Sequence, residues 1–172
     1  MAEASLRLSG KIAIVTGVLE LDASVLDSLL AVNVRGMVLC VKHEAMVEGT
    51  IRGSIVCKGS VTGSNGGPTA SGYTMTKHAV LGLMCDASVQ LETYGIRVNS
   101  VSPNALATPL TCTLLGKSEG DAQEIYKKHV RLEGVVFTPK HVADAILLLV
   151  SNEAEFITGL DLRVDGGFVY GK

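Results

Sequence analysis

Apolar, strand-like runs alternate with amphipathic helical segments along this chain, and that alternation points to an α/β fold built on a parallel sheet. Ile12 to Val15, bounded by Lys11 and Thr16-Gly17, reads as a short buried strand. Asp22 is a good N-cap, and behind it Leu26, Leu29, Leu30, Asn33, Met37, Cys40 and Val41 recur at helical spacing. Ser54 to Cys57 reads as a second strand and Ser60 to Gly72 as a loop rich in Gly, Ser and Thr. A long helix is expected from about Tyr73 to Tyr94, with Val80, Leu83, Met84 and Ala87 turned inward. Ile96 to Val101 makes a third strand, stopped by Ser102-Pro103. Pro109 to Arg131 is less regular, with helix expected from Asp121 to Val130, and Thr138-Pro139 opens a helix through Val150. Leu160, Leu162 and Val164 alternate with Asp161, Arg163 and Asp165, so the last strand should have one wetter face.

A chain of 172 residues, 47% hydrophobic and 19% charged, suffices for one domain with a real core, taken here as residues 1–172. Its net charge of −2, with acids and bases interspersed, gives no electrostatic pull toward nucleic acid or an anionic membrane. Lys127, Lys128, His129 and Arg131 read as a solvated helix face. No apolar run is expected to approach a membrane span, and Met1 to Lys11 lacks the apolar core of a signal peptide. Cys40, Cys57, Cys85 and Cys112 are scattered, and the first three are expected as small core residues in a reducing, cytoplasmic setting. Neither these cysteines nor His43, His78, His129 and His141 have metal-ligand spacing, so no metal is expected.

Tyr73 and Lys77 stand four apart, which puts a phenol and an ammonium on one helix face. A nearby ammonium favours phenolate and is expected to lower the tyrosine pKa into a useful acid–base range. Ser60 ends a strand ahead of that helix, and the loop between, with Gly63, Gly66, Gly67 and Pro68, can fold its hydroxyl back over the start of the helix. There it could hold a substrate oxygen for proton transfer, or it could simply cap its own turn. Asn33 falls within the apolar stripe of the Asp22 helix, where a bare amide is costly unless hydrogen-bonded. A kinked helix with a buried water would also accommodate it.

These residues resemble the Asn-Ser-Tyr-Lys tetrad of the short-chain dehydrogenase/reductase family. The resemblance runs from about Leu21 to Gly167 and includes Val32-Asn33-Val34-Arg35-Gly36, Ser60-Val61-Thr62-Gly63 and Tyr73-Thr74-Met75-Thr76-Lys77. It continues through Gly95 to Pro103, then Ile157-Thr158-Gly159 to Asp165-Gly166-Gly167. Ser60 to Met84 and Pro103 to Leu110 look closest to the plant branch of secoisolariciresinol, xanthoxin and momilactone-type dehydrogenases. The resemblance implies a Rossmann-like parallel sheet with flanking helices, here truncated to about four strands. It implies Tyr73 as general acid or base, Ser60 orienting the carbonyl or hydroxyl, Asn33 holding a relay water, and Lys77 binding the nicotinamide ribose. Pro103 and Thr108 match the segment at the nicotinamide end. Asn104 stands where the family usually has Gly, and Lys58-Gly59 replaces a small polar pair before the serine.

The family's first strand runs into a turn, Thr-Gly-x-x-x-Gly-x-Gly, whose backbone amides meet the pyrophosphate. Here Thr16-Gly17 is followed by Val18-Leu19-Glu20-Leu21, with no glycine until Gly36, so most of the nucleotide-binding half is absent. Ile12 to Val15 is then expected to take the family's fourth strand position beside Ser54 to Cys57. The resulting expectation is an NAD- or NADP-type oxidoreductase acting on a secondary alcohol or ketone of a small apolar metabolite, with weak or absent cofactor binding. Two alternatives stay open: cofactor-independent acid–base chemistry such as isomerisation or cyclisation, and an inactive shortened form that pairs with full-length relatives. A homo-oligomer through the 22–47 and 73–94 helices is expected, with Leu81 and Val89 on the outward side.

Overall fold

The computed structural model describes residues 22–45, 52–66, 71–128 and 130–170. Three parallel strands form its sheet in the order β1 (Gly53–Lys58), β2 (Ile96–Pro103) and β3 (Asp161–Val164). The strand expected over Ile12 to Val15 lies outside the described residues, as does the end of the 22–47 helix. Register sets Lys58 opposite Val101 and Ser100 opposite Asp161.

β2 does not stop at Ser102-Pro103 but runs through it, with Pro103 paired to Val164. Proline withdraws one donor. The next residue keeps the ladder going, because the Asn104 N–H donates to the Val164 carbonyl at 3.1 Å. Pairing to β3 outweighs the local stop signal.

Helix α1, Ala23–Ala45, opens where expected: the Asp22 carboxylate accepts from the Ser24 N–H at 2.7 Å. Its middle, Ala31–Arg35, is a π-helical stretch centred on Asn33. At 23 residues and mean hydropathy 1.6, α1 is long and apolar enough by length and composition to cross a membrane, which corrects the expectation that no run approaches that length. Only Asp27, Arg35, Lys42 and Glu44 are charged between Ala23 and Ala45, so the segment is apolar on average although its apolar runs are interrupted.

Helix α2 is Ser71–Gln90, followed by a tight turn at Glu92–Tyr94 and a left-handed Gly95. α3 (Pro109–Leu115) occupies a stretch expected to be irregular, because Thr108 and Thr111 cap each other reciprocally. α4 is Glu119–Lys127, starting earlier than expected because the Ser118 hydroxyl accepts from the Asp121 N–H. α5 is Pro139–Val150, as the sequence implies.

The sheet is covered on both faces. On one, Val80, Met84 and Ala87 of α2 and Val41 of α1 pack against Cys57, Ile96 and Val98. On the other, Val142 and Leu149 of α5 meet Val101, with Val56, Leu162 and Val164 beside them. Arg97 ties down the end of α5, donating to the carbonyls of Leu149 at 2.8 Å and Ser151 at 3.2 Å. The polar face of β3 is closed: both Ser100 and Ser102 hydroxyls donate to Asp161 Oδ1, and the Asp161 side chain is only 16% exposed.

Cys57 is a core residue, as expected, but Cys40 and Cys85 are exposed. Both lie on helices whose apolar spacing is wider than the stripe the sheet covers, so apolar neighbours in sequence do not bring burial.

Candidate active site

The first turns of α2 sit above the carboxyl ends of β1 and β2, where ligands bind in open α/β sheets. Tyr73, Lys77 and Leu81 follow at four-residue spacing on one face of this helix. Beneath them the chain leaving β1 lies flat, and two glycines allow it. A Cβ on Gly59 would overlap Ser102 Oγ, and one on Gly63 would lie 3.0 Å from both Leu81 Cδ1 and the Lys77 carbonyl. Leu81 therefore points inward against this loop, which corrects its expected place on the outward side; Val89 is outward, at 64% exposure. The expectation failed for Leu81 because the glycine-lined loop, not the sheet, supplies its contact.

Ser60 is buried, and its Oγ accepts from the Thr62 N–H at 3.3 Å and the Thr62 hydroxyl at 3.0 Å. The same hydroxyl acts on the Tyr73 phenol, pulling its pKa down. Capping its own turn and facing the tyrosine are compatible, because a hydroxyl has one proton and two lone pairs.

Lys77 is buried at 7% exposure; its Nζ donates to the Lys58 carbonyl at 2.9 Å and lies 5.4 Å from the centroid of the Tyr73 ring. No carboxylate pairs with it among the described residues. Burial, and then the charge of Lys58, push the Lys77 ammonium below its ordinary pKa. Burial pushes the Tyr73 phenol above its ordinary value, with the Ser60 hydrogen bond opposing. This overturns the expected lowering by a neighbouring ammonium. Lys77 spends its hydrogen bond on a backbone carbonyl and faces the ring, so desolvation of the phenol dominates.

Asn33 Nδ2 donates to Thr76 Oγ1 at 3.2 Å, and the Thr76 hydroxyl donates to the Tyr73 carbonyl at 2.7 Å. The asparagine lies in the π turn, and its Nδ2–H is satisfied across two helices. Sequence reasoning missed Thr76; its signal was a threonine one turn beyond Tyr73, opposite the only amide in an apolar stripe.

Pro103 is buried at the end of β2, paired with Val164 of β3. Thr108 is set apart: among the described residues its side chain bonds only Thr111, closing the first turn of α3. The fold thus assembles Ser60, Tyr73, Lys77 and, through Thr76, Asn33, and among the described residues no hydrogen bond links Thr108 to them. Beyond Asn104 the chain lines a groove of about 520 Å³, walled by Leu106, Tyr126, Val130, Val136 and Phe137.

A parallel sheet with this helix over its carboxyl edge defines the class. A family model described as enoyl-(acyl carrier protein) reductase matches residues 8–169, and the chain belongs to the short-chain dehydrogenase/reductase family. It is 49% identical over 152 residues to a (−)-isopiperitenol/(−)-carveol dehydrogenase, mitochondrial, of Mentha piperita, covering 87% of this chain and 57% of that one. To a (+)-cis,trans-nepetalactol synthase of Nepeta racemosa it is 50% identical, over 88% of this chain and 58% of the relative. Short-chain dehydrogenase reductase 3b of Arabidopsis thaliana is 42% identical, at 88% and 60% coverage. The chain thus spans less than two thirds of the length of these relatives. A solved short-chain dehydrogenase/reductase of Mycobacterium ulcerans superimposes with a TM-score of 0.78 at 30% identity, covering 89% of this chain and 55% of that one. The plant resemblance and the Rossmann-like fold read from the sequence therefore hold.

Proposed function

We propose that this chain carries the acid–base half of an alcohol–ketone oxidoreductase acting on a small apolar metabolite. The observation that carries the reading is the placement of the buried Ser60 hydroxyl and the buried Lys77 ammonium beside Tyr73. Ser60 orients the substrate oxygen. Tyr73, held protonated by burial, gives its proton to a carbonyl oxygen, or takes one from a hydroxyl in the reverse direction. Asn33 fixes the first turn of α2 through Thr76 and supplies the amide for a relay water. The groove beyond Asn104 suits the apolar body of the substrate, its volume falling in the usual range for small-molecule sites.

The family implies NAD or NADP. Lys77, a buried donor without a carboxylate, and the Tyr73 hydroxyl fit the ribose hydroxyls at the nicotinamide end, with Pro103 and Thr108 as the flanking segment. When bound, the nicotinamide supplies or accepts the hydride. The sequence after Gly17 lacks the glycines that would meet the pyrophosphate, and losing several charge-assisted hydrogen bonds at about 1.5–3 kcal/mol each weakens binding by orders of magnitude. NAD(H) and NADP(H) are expected to bind in the millimolar range or undetectably when titrated by NADH fluorescence quenching. Micromolar affinity would show that another segment or subunit rebuilds the phosphate site.

The same missing glycines favour a second reading, acid–base catalysis by Tyr73 and Ser60 without hydride transfer, as an isomerase or cyclase. Turnover of a candidate substrate with no nucleotide present separates the two. The surplus apolar surface of α1 and α2 supports a homo-oligomer through these helices. Free thiols at Cys40, Cys57, Cys85 and Cys112 support a reducing, cytoplasmic setting.

A further inference from the structure

Asn104 is nine-tenths buried, yet half of its amide is unused. Its Oδ1 accepts from the Ala105 N–H at 2.8 Å, which accounts for the oxygen as a local turn. Its Nδ2 has no acceptor among the described residues. A buried donor left without a partner is costly, and native structures keep few of them.

The position of this amide follows from the sheet. β2 is paired to β3 through Pro103 and the Asn104 N–H still bonds Val164, so alternation carried one residue past the strand end sets Asn104 on the face of Ser100 and Ser102. Ser100 and Ser102 share the face that holds Asp161, and Ser102 reaches the site below Gly59 and Leu81, on the α2 side. Asn104 falls on that same side. Strand β2 and helix α2 run in opposite directions, since the start of α2 meets the end of β1 and its last turns meet Ile96. Two strand residues advance about 6.6 Å and one helical turn about 5.4 Å. Moving from Ser102 to Asn104 therefore matches moving back from Leu81 to Lys77 and toward Tyr73. Immediately past Asn104, Ala105 begins the wall of the groove.

We infer that Asn104 is a specificity-determining residue: its free Nδ2–H donates to a second acceptor oxygen on the substrate, beside the oxygen held by Ser60 and Tyr73. The substrate class is a ketone or secondary alcohol that bears a neighbouring ether, hydroxyl or carbonyl oxygen. This inference rests on the site reading proposed above. A glycine at this position carries no such donor, so it could not make this distinction.

The test compares cyclohexanone with 2-methoxycyclohexanone, which adds an acceptor and no donor, binding to the full chain followed by 15N NMR. Loss of one side-chain signal in Asn104→Gly assigns the Asn104 amide. The methoxy ketone is expected to shift that amide and to bind about three- to tenfold more tightly than cyclohexanone, the value of one neutral hydrogen bond. Asn104→Asp, which keeps the acceptor for Ala105 but loses the donor, and Asn104→Gly should both erase the preference. Neither should lower the melting temperature by more than a loop change does, whereas a purely structural asparagine would. The inference is overturned if both ketones shift Ser60 and Tyr73 while the Asn104 amide stays still, or if the preference survives in both variants. If neither ketone shifts Ser60 or Tyr73, the site reading itself fails and takes this inference with it.

Discussion

Helices α1 and α2 look alike in sequence, and the fold treats them in opposite ways. Over 20 residues α2 buries Gly72, Thr76, Lys77, Val80, Met84 and Ala87, while over 23 residues α1 buries only Val41. Val25, Val32, Val38 and Leu39 of α1 are left in the open, Val32 at 73% exposure. The difference lies in what each helix meets. α2 crosses β1 and β2 along its length, whereas α1 reaches the sheet only near Val41 and otherwise lies on α2. Yet α1 holds Asn33, one of the site residues, by a single hydrogen bond to Thr76. One wall of the candidate site is therefore core, and the other is a helix that this protomer barely covers. A partner on α1 would fix the site as well as hide apolar surface.

The comparison is tested most severely at the chemistry. Tyr73→Phe removes the proposed general acid and is expected to lower any turnover by roughly 10²–10⁴-fold. Asn33→Ala acts through Thr76 and the helix turn, so its loss should be smaller, with the pH dependence of Tyr73 kept. A turnover that survives Tyr73→Phe would place the chemistry elsewhere.

The next largest contrast concerns stability. Met84→Ala empties a core position that is 1% exposed and should cost about 2–5 kcal/mol in a denaturant titration. Val32→Asp, on the open face of α1, should cost a protomer less than about 0.5 kcal/mol. Sedimentation separates the two further: Val32→Asp should weaken self-association, and Met84→Ala should not. A well-folded wild-type monomer at micromolar concentration would remove the proposed role of α1.

The contrast also explains what was legible in the sequence. Spacing put Tyr73 and Lys77 on one face, and the strand end put Ser60 before them, because local period and turn chemistry determine both. α5 was legible to the residue because Thr138-Pro139 is a local start signal. What depended on a distant partner was not. The sheet pairing that carries β2 through Pro103, the loop that turns Leu81 inward and the exposure of Cys40 and Cys85 are all set by segments far away in sequence. The Lys77 ammonium is the sharpest case, since its partner, the Lys58 carbonyl, is on another element and carries no sequence signature.

The smallest effect is electrostatic and concerns α2 alone. Burial holds the Tyr73 phenol above its ordinary pKa near 10, so the folded chain keeps this proton after the unfolded chain has lost it. Above about pH 10 the native state thus binds more protons than the unfolded state, and its stability falls as pH rises. Lys77 has the opposite sign. Its pKa is lowered, so the native state sheds that proton first and gains stability as pH rises toward about 10.5. In Tyr73→Phe the alkaline loss should shrink, and denaturant midpoints measured across about pH 9 to 11 should fall less steeply than in the wild type. The phenolate absorbance lost in this variant should be the part that develops above pH 10. Identical alkaline slopes in the two proteins would mean that Tyr73 is solvated in solution, and that the Ser60 contact does not close over it.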